Sequence, residues 1–272
     1  MRFTRIEPPS WISLPNFREI WLRKELLYFF AWRDIKVRYK QAVLGIAWAV
    51  LNPLALMLVF TLFFGIIFGT PSAGVPRPVF IFSGVLTWIL LAEMVSSASN
   101  SLIKDRHILE KLYFPRLILP ISSTLSPLAD FIFGLLALVV MMLVYGQPLR
   151  ATALLLPAFV ALVWFLSISV SVWLSGLNLQ FTDFRHITPL LIQVWFYSTP
   201  IFYPVTAIPE AWRPLYRANP MVSIVEGVRW CLFGTPPLEP NFLALSLAPF
   251  VLLFLAGAMY FSRYESTFAE NL

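Results

Sequence analysis

The sequence predicts an all-α membrane protein, and three observations carry that reading. The first is composition: 59% of the 272 residues are hydrophobic and only 12% are charged, against roughly 25% charged in an average soluble domain. A soluble fold of this length has too little interior to hide so much apolar surface. The second is an abrupt boundary in RDIKVRYKQAVLGIAWAVLNP, residues 33–53. It opens with Arg33, Lys36, Arg38 and Lys40, and then no charge occurs over residues 41–76. Those 36 residues exceed the ~20 apolar residues a helix needs to cross a bilayer core. The third is that similar apolar tracts recur along the chain, divided by short charged or proline-bearing segments.

Taken in order, residues 1–40 are charged throughout and lack a compact apolar core followed by small residues. No cleavable signal peptide is expected, and the first span acts as its own insertion signal. Within 16–32, Phe17, Ile20, Trp21, Leu27 and Phe30 alternate with Arg18, Arg23 and Lys24. This predicts an amphipathic helix over 16–40 in the headgroup layer, either as an anchor or as a gating element. Spans are predicted over 42–68, 79–99, 117–145, 151–177, 187–203 and 241–262, six in a single domain of residues 1–272. Pro120 and Pro127 make the start of the third irregular or tilted. Pro189 and Pro200 kink the fifth or break its end. Between the last two spans, Pro214 and Asn219–Pro220 divide helix-forming runs. The run 221–233 is too short to cross and too apolar for water, so two short re-entrant helices are expected over 207–234 on the outer side.

Charge sets the orientation. Of the 20 Lys and Arg, 15 lie before the first span, in the loop after the second, after the fourth, or past the last. The bias of Lys and Arg toward the cytoplasm then puts both termini inside, as an even number of spans requires. The net charge of +6 is this orientation signal rather than a mark of nucleic-acid binding. A lone cysteine, Cys231, excludes an internal disulfide framework. With only His107 and His186 beside it, no metal site is expected. No Gly-rich loop ending in Lys-Ser/Thr is present to hold a nucleotide, and neither histidine sits where a Ser-His-Asp site would form.

Several residues have chemistry that the bilayer makes conspicuous. Glu93 and Asp130 lie in apolar spans, where acids face a bundle interior or water. A proton relay and simple hydrogen bonding between helices are the two readings, and no basic mate is evident in another span. Aromatics crowd the first and fifth spans, with Trp48, Phe60, Phe63, Phe64 and Phe68, then Trp195, Phe196, Tyr197, Phe202 and Tyr203. They suit either a lipid-facing belt or a smooth wall for a sliding polymer. In the loop NSLIKDRHILEKLYFPRLILP, residues 100–120, apolar and charged residues alternate as a short amphipathic helix. That fits a protein partner or plain anchoring.

The stretches WRDIKVRYKQAVLGIAWAVLNPL, NSLIKDRHILEKLYFPRLILP, TDFRHITPLLIQVWFYSTPIFYP and NPMVSIVEGVRW together resemble the transmembrane subunit of ABC exporters that move lipid-linked polysaccharides. The likeness covers nearly the whole chain, and the first stretch is closer to O-antigen and teichoic-acid exporters than to capsule exporters. The resemblance implies a non-enzymatic permease of a bacterial cytoplasmic (inner) membrane, assembled as a homodimer with two copies of a separate ATPase. ATP and Mg would sit on that partner, and this chain would bind no cofactor or metal. It also implies that residues 101–113 are a coupling helix, with Lys104, Asp105, Arg106, His107, Glu110 and Lys111 facing the ATPase. A lipid-linked pyrophosphate would enter at the 38–45 loop, where Arg38, Tyr39 and Lys40 offer cations and a hydroxyl. Trp48, Phe60, Phe64, Trp195, Phe196 and Tyr197 would line the channel. An exporter of drugs or small lipids is the alternative within this architecture. A membrane-embedded transferase would need clustered catalytic groups on one loop, and a proton-driven carrier would need paired ionisable residues deep in several spans.

Overall fold

A computed structural model describes residues 17–40, 45–67, 69, 72–112, 114–236 and 240–264, and regular structure among them is entirely helical. Of the 38–45 loop, residues 41–44 lie outside the described set. The chain begins with α1 (Phe17–Leu22) and α2 (Lys24–Lys40). Trp21, Tyr28, Phe29, Trp32 and Val37 are exposed along them, while Phe30, Ala31 and Asp34 are buried.

Helix α3 (Ala47–Phe60) continues into a π-helical turn, Thr61–Ile67. In that turn Gly65 accepts a hydrogen bond from Arg77 Nη1 at 2.9 Å. A Cβ on Gly65 would come within 2.6 Å of the Arg77 Cδ, so any larger residue would require the Arg77 side chain to move. Helix α4 (Arg77–Ser99) then crosses the molecule through its centre. Pro78 fits its first turn because an N–H there has no helical partner anyway. At 23 residues it spans about 34 Å, and Phe80, Phe82, Leu90, Leu91 and Met94 are each at most 2% exposed.

After α4 come two single turns, α5 (Ser101–Lys104) and α6 (Arg106–Leu109). The continuous helix expected over 101–113 is thus broken at Asp105. The third apolar segment is split into α7 (Ile118–Ser123) and α8 (Pro127–Val144): Pro127 has no N–H to donate back to the preceding turn, and it begins a new helix. Helix α9 (Leu156–Gln180) follows a 3-10 turn at Ala151–Leu155. It packs on α4 and α13, and its buried residues include the small Ser167, Ser169, Ser171, Ser175 and Gly176, a residue type that lets helix backbones approach closely. Most of these hydroxyls are absorbed by α9 itself, as when Ser167 donates to the Val163 carbonyl at 2.8 Å. Asn178 instead reaches the Ser99 carbonyl at 2.9 Å, satisfying an orphan acceptor at the end of α4.

The fifth expected span differs from its prediction. Where 187–203 was to cross, α10 (Phe184–Tyr197) has only 14 residues, about 21 Å. Pro200 disfavours helix at Thr199, whose hydroxyl turns back to the Trp195 carbonyl at 2.9 Å. Short α11 (Arg213–Arg217), then α12 (Pro220–Phe233) and α13 (Pro240–Tyr264), complete the order. Among the described residues, five helical stretches are long and apolar enough to span a membrane: Ala47–Gly65, Arg77–Ser99, Ile118–Val144, Ala151–Gln180 and Leu243–Arg263.

Candidate functional site

Three clusters of polar side chains are arranged along α4. The first lies about 9 Å short of its C-terminal end, where Arg38 of α2 meets both intramembrane acids. Its Nη2 donates to Glu93 of α4 at 2.7 Å and its Nη1 to Asp130 of α8. The Tyr39 hydroxyl donates to the other Asp130 oxygen. Burial, followed by that hydrogen bond, raises the pKa of the Tyr39 hydroxyl above its ordinary value, so it stays protonated and acts as a donor. Lys40 is exposed. Arg38, Tyr39, Glu93 and Asp130 border a cavity of ≈ 280 Å³ whose other walls include Gly45, Trp48, Asn52 and Pro53. The basic mate of the two acids is therefore supplied by α2, the helix before the first span.

The second cluster joins α2 to the segment after α4. Asp34, 7% exposed, accepts from Arg33 at 2.9 Å, Lys104 at 3.0 Å and Ser123 at 3.4 Å. Arg33 also donates to Asp105 at 2.6 Å, itself 6% exposed. Burial works against the Arg33 charge, but hydrogen bonds from Arg33 to Asp105 and Asp34 outweigh it and hold its pKa above the ordinary value. Lys104 and Asp105 are thus paired within the chain. Arg106, His107, Glu110 and Lys111 remain exposed, with Arg106 bonded to Glu110 at 3.0 Å.

The third cluster lies at the opposite end of α4. Arg229 of α12 is only 2% exposed. Its guanidinium donates to the carbonyls of Pro200 at 3.2 Å and Ile201 at 2.5 Å, with a longer contact to Phe80 at 3.5 Å. It also stacks 3.7 Å above the Phe80 ring. Gly84 makes room for it: a Cβ there would lie 2.7 Å from Arg229 Nη2 and 2.9 Å from the Ile201 carbonyl. Arg229 thereby helps hold down the non-helical chain after α10.

Beside it, Asn219 caps α12 by accepting from the Met221 N–H at 3.0 Å. Asn219 also accepts from Trp195 Nε1 at 2.9 Å and donates to the Thr199 hydroxyl at 3.0 Å. Asn219→Ala should lower stability by about 1–2 kcal/mol, read as an earlier thermal transition in detergent; an unchanged transition would refute the capping role.

The aromatic candidates divide into two groups. Phe60, Phe64 and Phe196 are half-buried around Phe202, with the Phe60 and Phe202 rings 3.8 Å apart and Phe64 and Phe202 5.0 Å apart. Trp195 packs on Trp88 and Phe250. Trp48 and Tyr197 instead project outward, 58% and 62% exposed.

The sequence model of the ABC-2 type transporter family matches residues 25–233. The chain belongs to that family. Among family relatives, it is 32% identical over 260 residues to an O-antigen export system permease protein of Myxococcus xanthus, covering 94% of this chain and 98% of the relative. Its identity to an O-antigen export system permease protein of Klebsiella pneumoniae is 29% over 250 residues, covering 91% and 95%. A polysialic acid transport protein of Escherichia coli is 25% identical over 242 residues, covering 86% and 92%. The family match runs from α2 to the last residue of α12, so all three polar clusters fall inside it. As a member of the ABC-2 family, the chain is a multi-pass membrane transport subunit and not itself an enzyme.

Proposed function

We propose that this chain is the permease of an ATP-driven exporter that carries a lipid-linked polysaccharide, of O-antigen or teichoic-acid kind, across a bacterial cytoplasmic membrane. The observation that carries this reading is the nearly end-to-end likeness to permeases named for O-antigen export. In the working arrangement both termini are cytoplasmic, α1 and α2 lie in the inner headgroup layer, and α10 serves as a shortened fifth crossing of six. Helices α11 and α12 re-enter from the outer side. Two copies of the permease recruit two copies of a separate ATPase, which binds ATP and Mg, while the permease itself holds no cofactor. The exposed face of α5–α6, with Arg106, His107, Glu110, Lys111 and the apolar Leu112, is where the ATPase docks.

A homodimer is supported by what the single chain leaves uncovered. Only 11% of the Ala47–Gly65 span is buried; Trp48, Leu51, Leu58, Leu62 and Phe63 are exposed along it, and Leu190, Leu191, Val194 and Tyr197 along α10. A second copy facing these helices closes a channel between two α3–α10 walls. Trp48 and Tyr197 then meet the polymer, and the Phe60–Phe64–Phe196–Phe202 cluster stiffens the wall behind them. Lipid-linked pyrophosphate enters at the Arg38–Tyr39–Lys40 corner, from which the glycan threads inward.

The test is removal and restoration in a cell that makes such a glycan. Loss of the chain should trap the polymer inside, and re-expression together with its ATPase should return it to the surface. Loss of drug or small-lipid efflux with normal surface glycan would instead favour the other class of exporter. Trp48→Ala should reduce surface glycan several-fold at unchanged protein level; full export by this variant would remove Trp48 from the wall.

A further inference from the structure

The Arg38 corner presents a difficulty for the substrate proposed to enter there. A phosphate is drawn to an arginine fork because two parallel N–H groups match two oxygens. Here both arms are already taken, one by Glu93 and one by Asp130, so the incoming anion faces two carboxylates for one guanidinium. We infer that Glu93 and Asp130 set the affinity of this corner for a lipid-linked phosphate or pyrophosphate, with Glu93 as the arm that yields and Asp130 as the arm that holds. The inference rests on the proposed function, in which such a headgroup enters at Arg38.

The two acids are not equivalent. The Glu93 side chain is 44% exposed and the Asp130 side chain 23%. Asp130 receives two donors, Arg38 and Tyr39, and Glu93 receives Arg38. Tyr39 also packs edge-on against Phe133, one turn beyond Asp130 on α8, which fixes the α2–α8 contact further. Exchange of Glu93 for a phosphate oxygen therefore requires breaking one wetter ion pair while the α2–α8 junction stays intact. The cavity provides room for this exchange beside Glu93, and Trp48, at the mouth of the proposed wall, borders it too.

Two consequences follow from this competition. Selection favours ligands delivered by the membrane at high local concentration, since a dilute free anion must displace a tethered carboxylate. Binding also frees α2 from α4 without freeing it from α8, so recognition and loosening of the α2–α4 junction are one event.

The experiment measures binding of undecaprenyl phosphate to the full-length chain in neutral-lipid nanodiscs, with inorganic pyrophosphate as a separate water-soluble arm. Glu93→Gln keeps the side chain's shape and removes the competing charge. It should tighten lipid binding roughly 2- to 5-fold, with the same direction for inorganic pyrophosphate at much weaker absolute affinity. Arg38→Ala should abolish both. If Arg38→Ala abolishes binding but Glu93→Gln leaves it unchanged or weaker, the competitor role is overturned while the headgroup site survives. If Arg38→Ala binds the lipid like wild type, the assignment of this corner to the headgroup fails, and the inference with it. Equal affinity for the free anion and the lipid would overturn the lipid headgroup as occupant. Thermal stability measured on each variant separates loss of binding from loss of fold.

Discussion

Arg229→Ala is expected to destabilise the protein by about 3–5 kcal/mol, more than any other single truncation considered. Three carbonyls, from Pro200, Ile201 and Phe80, would lose a charged donor in a buried setting, and the Phe80 ring would lose the cation above it. The space between α4 and α12 would also gain a cavity. Arg229→Met, which restores most of the volume but no donor, should recover little of the loss. Arg229→Lys should recover part of it, since an ammonium on a flexible stem does not reproduce a planar fork. Thermal unfolding followed by size-exclusion in detergent reads all three, and a methionine variant as stable as wild type would show that packing alone holds this end together.

The second large effect is expected at Asp34, and it is functional as well as energetic. Asp34→Ala removes the acceptor shared by Arg33, Lys104 and Ser123, at about 1–3 kcal/mol. In the proposed exporter this network is how motion of the ATPase-facing turns reaches α2. Export should therefore fall about tenfold, the equivalent of ~1.4 kcal/mol, while ATP hydrolysis by the complex continues. Asp105→Ala should act in the same direction. The double variant should be less than additive because both acids share Arg33. Glycan moved per ATP hydrolysed, in reconstituted vesicles, is the deciding ratio; a proportional fall in both would indicate a damaged complex instead.

Much of the helical framework is legible in the sequence because bilayer physics is so restrictive. A charge-free run beside a cationic one specifies a crossing, and Pro127 and Pro200 mark helix breaks for steric reasons that need no tertiary context. The side-chain clusters are another matter. Arg38 lies 55 residues from Glu93 and 92 from Asp130, and hydropathy says nothing about such pairings. The mate lies in no other predicted span; it sits at the end of α2, beside them. Of the residues the resemblance turned toward the ATPase, Lys104 is exposed but Asp105 is buried, and a segment of two turns is too short for periodicity to tell which side packs. Arg229 carried an available signal. It stands in the apolar run 221–233, where a cation is retained only if protein groups surround it.

In the proposed homodimer α3 and α10 turn their outer faces to a second copy, so the conduit belongs to neither chain alone. Its behaviour under mixed inheritance follows. A variant that still pairs but carries a damaged wall, such as Trp48→Ala, should be dominant over wild type when both are made in one cell, since mixed pairs carry the defect too. A variant whose main defect is a lower folded population, such as Arg229→Ala, should be recessive, because fewer of its copies enter a pair. Dominance thus becomes a genetic ruler that separates residues shaping the passage from residues that only hold the chain together.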